Sequence, residues 1–146
     1  MREDQAEELI IVIARLKEES SRYPAIVEGR KDERALREMG LSGTILRLDS
    51  GSSIFNFCER LRGEHDRVII LTDWDRRGGR LARALREGLT ANGISYDDEL
   101  RKQIAFLVRK EIKDVEGLPK LLSKLPGNPS EGQSGRNDYI EPFPLR

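Results

Sequence analysis

The sequence predicts an α/β fold with a mostly parallel sheet flanked by helices, and three short aliphatic runs carry this prediction. They cover residues 25–28, 44–48 and 68–72, and each precedes a segment with helical periodicity. Short runs rich in β-branched residues are typical of buried strands, and alternation of strands with helices favours parallel pairing. The chain has 146 residues, which suffices for one core, because single domains most often contain ~100–150 residues.

Helices are predicted where apolar residues recur every three or four positions between capping and terminating residues. These helices cover 3–19, 32–39, 53–61, 78–91, 97–109 and 114–125. Two apolar runs, Leu9–Ile13 and Ile104–Val108, also suit a strand, since periodicity does not distinguish a strand from a helix over so short a length. Both alternatives stay open at this point.

The chain divides into three predicted segments. Residues 1–20 are expected to form an N-terminal helix packed on the domain, and residues 21–125 the α/β domain itself. Residues 126–146 are rich in Pro, Gly, Asn, Ser and Gln. Such a composition is typical of segments without a packed core, so we expect a flexible or surface-draped tail.

Charge and composition restrict the classes of function. The formal net charge is zero although 36% of the residues are charged, and arginine, which suits phosphate recognition, outnumbers lysine. No apolar run approaches the ~18–20 residues that span a bilayer, and the first residues do not resemble a signal peptide. The single cysteine, Cys58, excludes an internal disulfide and is compatible with a reducing compartment, so we expect a cytoplasmic protein without a membrane segment. With one histidine and one cysteine, the chain lacks the ligands of a structural zinc site.

Two of the predicted strands end in acidic residues. Glu28 follows the first strand, and Asp73 and Asp75 follow the third. Parallel strands place their carboxyl ends at one edge of the sheet, where ligands bind in open α/β folds, so we expect the three carboxylates to converge. Clustered carboxylates are costly unless a cation neutralises them, and oxygen ligands suit Mg²⁺ or Mn²⁺. For the two aspartates the alternative roles are an N-cap and a turn residue before the next helix.

Basic residues flank these acids. Arg76, Arg80 and Arg83 are spaced by four and three residues and so share one helix face, while Arg30 and Lys31 follow Glu28 closely. Acids that hold a metal, between cations that hold phosphates, suit phosphodiester chemistry. A solvated arginine face is the alternative interpretation.

Several other residues have both a functional and a structural interpretation. Asp32 either joins the acidic site or acts as the N-cap of the helix at 32–39. Asp49 and the turn at 50–52 either hold a phosphate through backbone N–H groups or cap the following helix. Trp74 points away from the aspartates beside it in an extended chain, which favours packing over base stacking.

Two motifs resemble those of the Toprim domain, a family found in topoisomerases, bacterial-type primases and several nucleases. Residues 27–32 read V-E-G-x-x-D, and residues 73–78 read D-x-D-x-x-G. The resemblance covers roughly residues 24–125, and the short chain is similar to the small stand-alone Toprim proteins of archaea. It implies a Toprim-like, Rossmann-like fold in which Asp73 and Asp75 bind magnesium and Glu28 is the general acid/base or a further metal ligand.

The resemblance has further implications for residues and for function. Gly29 and Gly78 match the motif glycines of the family, and Asp114 matches a second Lys-Asp region, although it also suits a helix N-cap. Topoisomerase and primase activities need accessory domains that do not occur in this sequence. We therefore expect metal-dependent phosphodiester hydrolysis on RNA or DNA. The alternative is a non-catalytic nucleic-acid-binding or ribonucleoprotein component, with a protein partner, that retains a Toprim metal site.

Overall fold

The computed structural model describes residues 1–126, so the predicted tail lies almost entirely outside the described residues. Within them, one parallel sheet contains β1 (Ala25–Val27), β2 (Ile45–Arg47), β3 (Arg67–Ile70) and β4 (Ser95–Asp97). The strand order is β2-β1-β3-β4. The helices are α1 (Glu3–Ser20), α2 (Arg30–Glu38), α3 (Ile54–Leu61), α4 (Arg76–Ala91), α5 (Glu99–Val108) and α6 (Leu118–Ser123), with a 3-10 helix at Val115–Gly117. The predicted α/β class and parallel sheet are confirmed.

The sheet separates two apolar cores, and side chains alternate between them along each central strand. Ala25 and Val27 of β1 contribute to the core beneath α1, α2 and α5, whereas Ile26 contributes to the core beneath α3 and α4. In β3 and the residue that follows it, Ile69 and Leu71 lie in the first core, and Val68 and Ile70 in the second. This period of two buries both faces of the sheet, as expected where helices cover each side.

The strand order fixes the position of the ligand edge. β1 and β3 are adjacent, with Ile26 paired to Ile70, so the residues that follow both strands meet at one edge of the sheet. The order of the chain also reverses here, because β2 lies on one side of β1 and β3 on the other. In open α/β folds such a switch point opens a crevice at the carboxyl ends of the strands.

Several details differ from the sequence prediction. The helix predicted at 32–39 begins at Arg30, with Gly29 as its N-cap residue, so Asp32 is the third residue of α2 and not its N-cap. The strand β4 was not predicted, because Ser95, Tyr96 and Asp97 contain no aliphatic run like those that predicted the other three strands. The strand alternatives at Leu9–Ile13 and Ile104–Val108 are wrong, since both runs are helical.

The ends of the helices follow the capping residues of the sequence. Ser53 caps α3, and its hydroxyl accepts a hydrogen bond from the Asn56 N–H. Helix α4 begins at Arg76, two residues before the predicted start, because the Asp75 carboxylate caps it. No helix among residues 1–126 combines the length and the apolar character that crossing a membrane requires.

Candidate functional site: an acidic cleft at the carboxyl ends of the strands

The carboxyl ends of β1 and β3 border an open cleft of about 570 Å³, which we call the acidic cleft. Acids outnumber cations in its lining. The acids are Glu28, Asp32, Asp49, Asp73, Asp114 and Glu116. The remaining lining residues are Gly29, Arg30, Lys31 and Arg77. The switch point of the sheet therefore carries a concentration of negative charge.

Glu28 links the two central strands through its carboxylate. Oε2 accepts a hydrogen bond from the backbone N–H of Asp73 at 3.0 Å. Oε1 accepts one from Nη1 of Arg77 at 2.9 Å, which is also an ion pair. The Glu28 side chain is 10% exposed and that of Arg77 is 70% exposed. One side of Glu28 is thus held by the main chain, and the other by a cation that faces solvent.

Asp73 occupies the most electrostatically demanding position of the cleft. Burial raises its pKa to about 7, and the negative charges of Asp32, Glu28 and Asp114 act in the same direction against one lowering hydrogen bond. That bond comes from the backbone N–H of Val115, which donates to Oδ1 at 2.9 Å. Asp73 therefore gains a proton at a much higher pH than an ordinary aspartate.

Asp32 shares this environment. It is buried, and burial raises its pKa, opposed by the Gly29 N–H that donates to Oδ2 at 3.2 Å. The charges of Glu28, Glu116 and Asp114 raise the same pKa further. Burial is thus the main cause of the raised pKa values of both carboxyls, and the surrounding acids raise them further.

Asp75 is not part of the cleft lining, although the sequence predicts that it converges with Glu28 and Asp73. Its Oδ1 accepts a hydrogen bond from the Gly78 N–H at 2.7 Å, and the residue is exposed. The chain turns from β3 into α4 between these positions, which directs the second aspartate to the helix terminus. The structure thus brings Glu28 and Asp73 together at the cleft and leaves Asp75 as a cap.

The motif glycines differ in how strongly the fold requires them. A Cβ on Gly78 would lie 1.9 Å from the carbonyl oxygen of Asp73, so any other residue would displace the turn that carries the aspartates. A Cβ on Gly29 would lie 3.5 Å from Oδ2 of Asp49, which is an ordinary contact, and the backbone there is extended. Gly78 is therefore needed for geometry, whereas nothing in the described fold excludes a side chain at position 29.

Arg101 is a residue of the site that the sequence interpretation missed. It is 8% exposed, and its guanidinium donates from Nε to the carbonyl of Thr72 at 2.8 Å and from Nη2 to the carbonyl of Asp73 at 2.7 Å. Burial lowers its pKa. The signal was present in the periodicity, since Arg101 lies three residues before the buried Ile104 and seven before the buried Val108.

The predicted basic residues separate into two groups. Arg30 and Lys31 line the cleft, together with Arg77, which the sequence interpretation did not select. Arg76, Arg80 and Arg83 are exposed on α4 and do not contribute to the lining. Arg83 forms an ion pair with Glu87 at 3.5 Å across one helical turn.

Asp114 and Trp74 hold the segment after α5 against the site. Asp114 lines the cleft and also caps the 3-10 helix, because its Oδ1 accepts from the Gly117 N–H at 3.0 Å. The indole Nε1 of Trp74 donates to the carbonyl of Ile112 at 2.8 Å, and the ring packs on the first core. The prediction that Trp74 packs is confirmed, and Asp114 acts as the helix cap that the sequence suggested while it also borders the cleft.

The donor set suits a hard cation, although its geometry is not that of a ready-made metal site. Among residues 1–126, no three His, Cys, Asp or Glu side chains are grouped closely enough to hold a metal ion. The acids of the cleft offer carboxylate oxygens, which are the ligands of Mg²⁺ and related ions. The raised pKa of Asp73 is the property that a bound cation would reverse.

Comparison with known proteins places this geometry in a family. The profile described as "Toprim domain" matches residues 24–107, which include both acidic motifs. A UPF0292 protein of Methanosarcina acetivorans is 38% identical over 122 residues, covering 84% of this chain and 83% of the relative. A UPF0292 protein of Methanocaldococcus jannaschii is 34% identical over 123 residues, covering 84% of this chain and 96% of the relative.

A solved structure supports the same fold. It is a putative protein from Aquifex aeolicus, with a TM-score of 0.63 and 30% sequence identity, and the match covers 74% of this chain and 95% of that one. The similar proteins are thus small, and those of the two methanogens are archaeal. A Toprim domain supports binding of divalent metal and an association with nucleic acid.

Proposed function

This chain belongs to the Toprim domain family, and on that premise we propose that it hydrolyses phosphodiester bonds of RNA or DNA with Mg²⁺ or Mn²⁺. One observation carries the proposal. Glu28 and Asp73 meet at the switch point of the sheet, where burial and neighbouring acids raise the pKa of Asp73 to about 7. A site with surplus carboxylate charge at this position is suited to a divalent cation and, through it, to a phosphate group.

Asp73 and Asp75 would hold the cation, and Glu28, which accepts the Asp73 N–H, would lie beside it as the general acid/base. The Asp75 carboxylate caps α4 through one oxygen, Oδ1, so that its other oxygen is not committed to the cap. When bound, the metal stabilises negative charge on the phosphoryl oxygens. The buried guanidinium of Arg101 keeps the main chain of Thr72 and Asp73 in place, which orients the Asp73 side chain.

Glu28 is the residue that exchanges a proton. Its Oε2 stays bound to the Asp73 N–H, while Oε1 is engaged by Arg77, whose side chain is largely exposed. A phosphate in the cleft would attract Arg77 away from Oε1, since guanidinium groups bind phosphate through paired hydrogen bonds. That movement leaves Oε1 free to accept a proton from the attacking water or to donate one to the leaving oxygen.

The cations around the cleft hold the flanking phosphates. Arg30 and Lys31 line it directly and are exposed, so they bind a polyanion without first giving up a buried partner. The exposed Arg76, Arg80 and Arg83 extend positive charge along α4. Such contacts position a nucleic-acid strand but do not distinguish one base sequence from another.

A second candidate is a non-catalytic nucleic-acid-binding or ribonucleoprotein component that assembles with another protein. It is favoured by the engagement of two acids, because Glu28 is paired with Arg77 and Asp75 caps a helix. In this function the cleft would use its metal for docking rather than for cleavage.

Two measurements test the proposal. Labelled RNA and DNA are incubated with the protein in Mg²⁺, in Mn²⁺ and in chelator, and Mn²⁺ binding is measured by calorimetry. We expect metal-dependent cleavage by the wild type, and loss of both cleavage and Mn²⁺ binding in Asp73→Asn/Asp75→Asn. Glu64→Gln is the matched control, because Glu64 precedes β3 and so lies towards the opposite edge of the sheet.

The outcomes separate the candidates. Equal Mn²⁺ binding by the wild type and the double variant would exclude the metal site. Metal-dependent binding of nucleic acid without cleavage of any substrate would exclude hydrolysis and support the docking function. The single variants then rank the two aspartates, and we expect Asp73→Asn to weaken Mn²⁺ binding more than Asp75→Asn.

A further inference from the structure

A second concave surface lies where the start of α1 meets the end of α5, and we call it the α1–α5 groove. It has a volume of about 690 Å³, and its charged lining residues are Arg2, Arg109, Lys110 and Glu111. Arg2 also contacts Asp4 at 3.1 Å, but both side chains are about three-quarters exposed, so this pair is weak. Cations therefore predominate here, in contrast to the acidic cleft.

An exposed aromatic ring forms part of this groove. Phe106 is 66% exposed, although phenylalanine is normally buried, and the guanidinium of Arg109 lies over its ring at 5.4 Å from the centroid. Phe55 on α3 is similarly exposed at 63%, but within residues 1–126 no cation lies over its ring. Exposure alone thus does not distinguish Phe106, whereas the combination of a ring, a stacked guanidinium and a cationic groove does.

This combination matches single-stranded nucleic acid. Proteins that bind single strands place bases on aromatic rings and the backbone along basic residues, and every base has a flat face that stacks. A protein partner would instead bury a contiguous apolar patch, whereas here the Phe106 ring and the partly exposed Met1 share the groove with four charged residues. The groove is therefore better suited to a polyanion with stacking groups than to an apolar surface.

The groove is also close to the acidic cleft along the chain. Lys110 lines the groove and Asp114 lines the cleft, so their Cα atoms are at most ~15 Å apart. The segment between them is anchored, because the carbonyl of Lys113 accepts a hydrogen bond from the Trp74 N–H at 3.1 Å. The separation of these two residues is therefore shorter than an extended oligonucleotide of a few nucleotides.

We propose that the α1–α5 groove is a binding subsite for single-stranded nucleic acid. In this subsite a base stacks on Phe106, while Arg109 and Lys110 contact the nucleic-acid backbone. This subsite deepens the proposed function, on whose nucleic-acid substrate it rests, by locating a part of the strand away from the metal. The acidic cleft repels phosphates when no metal is bound, and the groove provides binding energy that does not depend on the metal.

The test measures binding of a fluorescein-labelled oligothymidine of about twelve nucleotides, within the roughly 4–16 nucleotides that single-strand binding folds contact. Anisotropy titrations in EDTA compare the wild type with Phe106→Ala, Phe106→Trp and Arg109→Ala. Phe55→Ala is the control for an equally exposed ring, and Arg34→Ala is the control for an exposed arginine of α2. All substituted side chains are exposed, so circular dichroism should show an unchanged fold.

We expect Phe106→Ala to weaken binding about fivefold to 150-fold and Phe106→Trp to retain it, because tryptophan stacks at least as well. Arg109→Ala should reduce the slope of log affinity against log salt by ~0.7, the value for one phosphate of a single strand that is no longer neutralised. Neither control variant should change the affinity by more than about twofold. An abasic oligonucleotide of the same length should bind the wild type and Phe106→Ala equally, since it has no base to stack.

The subsite would be overturned if the wild type shows no detectable binding of the oligonucleotide. It would also be overturned if Phe106→Ala binds as tightly as the wild type. Equal losses of affinity in Phe106→Ala and Phe55→Ala would also overturn it, because they would indicate a general effect of removing exposed rings. Cleavage assays in Mn²⁺ distinguish this failure from that of the proposed function. If the protein cleaves nucleic acid but Phe106→Ala does not change binding, the proposed hydrolysis stands and the proposed subsite is wrong. If binding depends on Phe106 but no substrate is cleaved, the subsite stands and the proposed hydrolysis is wrong.

Discussion

The acidic cleft and the α1–α5 groove are close along the chain but carry opposite charge and hold their charges differently. In the cleft, the carboxylates of Glu28 and Asp73 accept hydrogen bonds from the main chain and are largely enclosed. In the groove, the Arg109 and Lys110 side chains belong to exposed residues at the end of α5. Fixed, half-buried acids suit an ion that needs defined ligands, whereas exposed cations adjust to a polymer. Burial, more than residue type, therefore decides what a charged side chain can do in these two surfaces.

The largest effect should come from Glu28→Gln, which changes chemistry in the cleft without changing the groove. Glutamine is nearly isosteric and still accepts the Asp73 N–H through its amide oxygen, so the fold and the binding of nucleic acid should persist. Cleavage should fall by a factor of ~10²–10⁴, the usual contribution of a positioned general acid or base. Single-turnover cleavage of bound substrate measures this, and a rate within a few-fold of wild type would remove Glu28 from the chemistry.

The next effect compares a buried arginine with an exposed one. Arg101→Met should lower the free energy of unfolding by roughly 2–5 kcal/mol, because the carbonyls of Thr72 and Asp73 lose charged donors in a buried setting. Arg109→Met in the groove should cost no more than ~1 kcal/mol, since that residue is exposed and its guanidinium stacks only on the Phe106 ring. Urea unfolding of both variants checks the difference, and equal decreases in stability would contradict the contrast between the two surfaces.

A smaller effect follows from the raised pKa of Asp73 in the metal-free protein. As the pH rises from about 4, the unfolded chain releases the Asp73 proton first, and the folded protein retains it until about pH 7. Stability due to this group therefore falls over that window and stays low above it. Asp73→Asn keeps an acceptor for the Val115 N–H but carries no charge. Its free energy of unfolding should therefore exceed that of the wild type by about 1–2 kcal/mol at pH 8. That figure is below the full value of the shift, because solvent screens a half-buried group.

Urea titrations in EDTA at several pH values measure the difference in unfolding free energy between Asp73→Asn and the wild type. The difference should be near zero below about pH 4 and should reach its full size above about pH 7. A divalent metal should raise the stability of the wild type alone, by ~2.7 kcal/mol at 100 times its dissociation constant. A difference in unfolding free energy that does not change with pH would show that folding does not raise the pKa of Asp73.

The smallest effect concerns the arginine face of α4, which lies outside both surfaces. Arg80→Ala/Arg83→Ala should weaken nucleic-acid binding similarly across sequences and reduce the salt slope by ~0.9 for each phosphate of duplex DNA that is no longer neutralised. Arg30→Ala/Lys31→Ala at the cleft is the comparison, because those side chains line it. If the slope of log affinity against log salt falls in the cleft variant but not in the α4 variant, Arg80 and Arg83 form a solvated face.

Much of the fold could be predicted because the spacing of apolar residues along the sequence indicates where strands and helices form. The alternation of short aliphatic runs with helical periodicity predicted β1, β2 and β3 and the helices between them, and the helix predicted from residue 53 begins only one residue later. The strand β4 escaped prediction because its residues Ser95–Asp97 are mostly polar, and its place in the sheet comes from pairing with β3. Local information thus predicted the strands that have an aliphatic run and missed the strand that lacks one.

The candidate site divides in the same way. The order of strands and acids in the sequence predicted that Glu28 and Asp73 share one edge of a parallel sheet, and the adjacency of β1 and β3 in the folded sheet brings them into contact. Only the tertiary structure decided that Asp75 caps α4, that Asp32 lies within α2 rather than at its start, and that Arg77 engages Glu28. It also decided that Arg101 is buried against the end of β3. The physical reason is that a sequence specifies which groups carry charge, whereas the folded chain determines which of them lose water and which partners replace it.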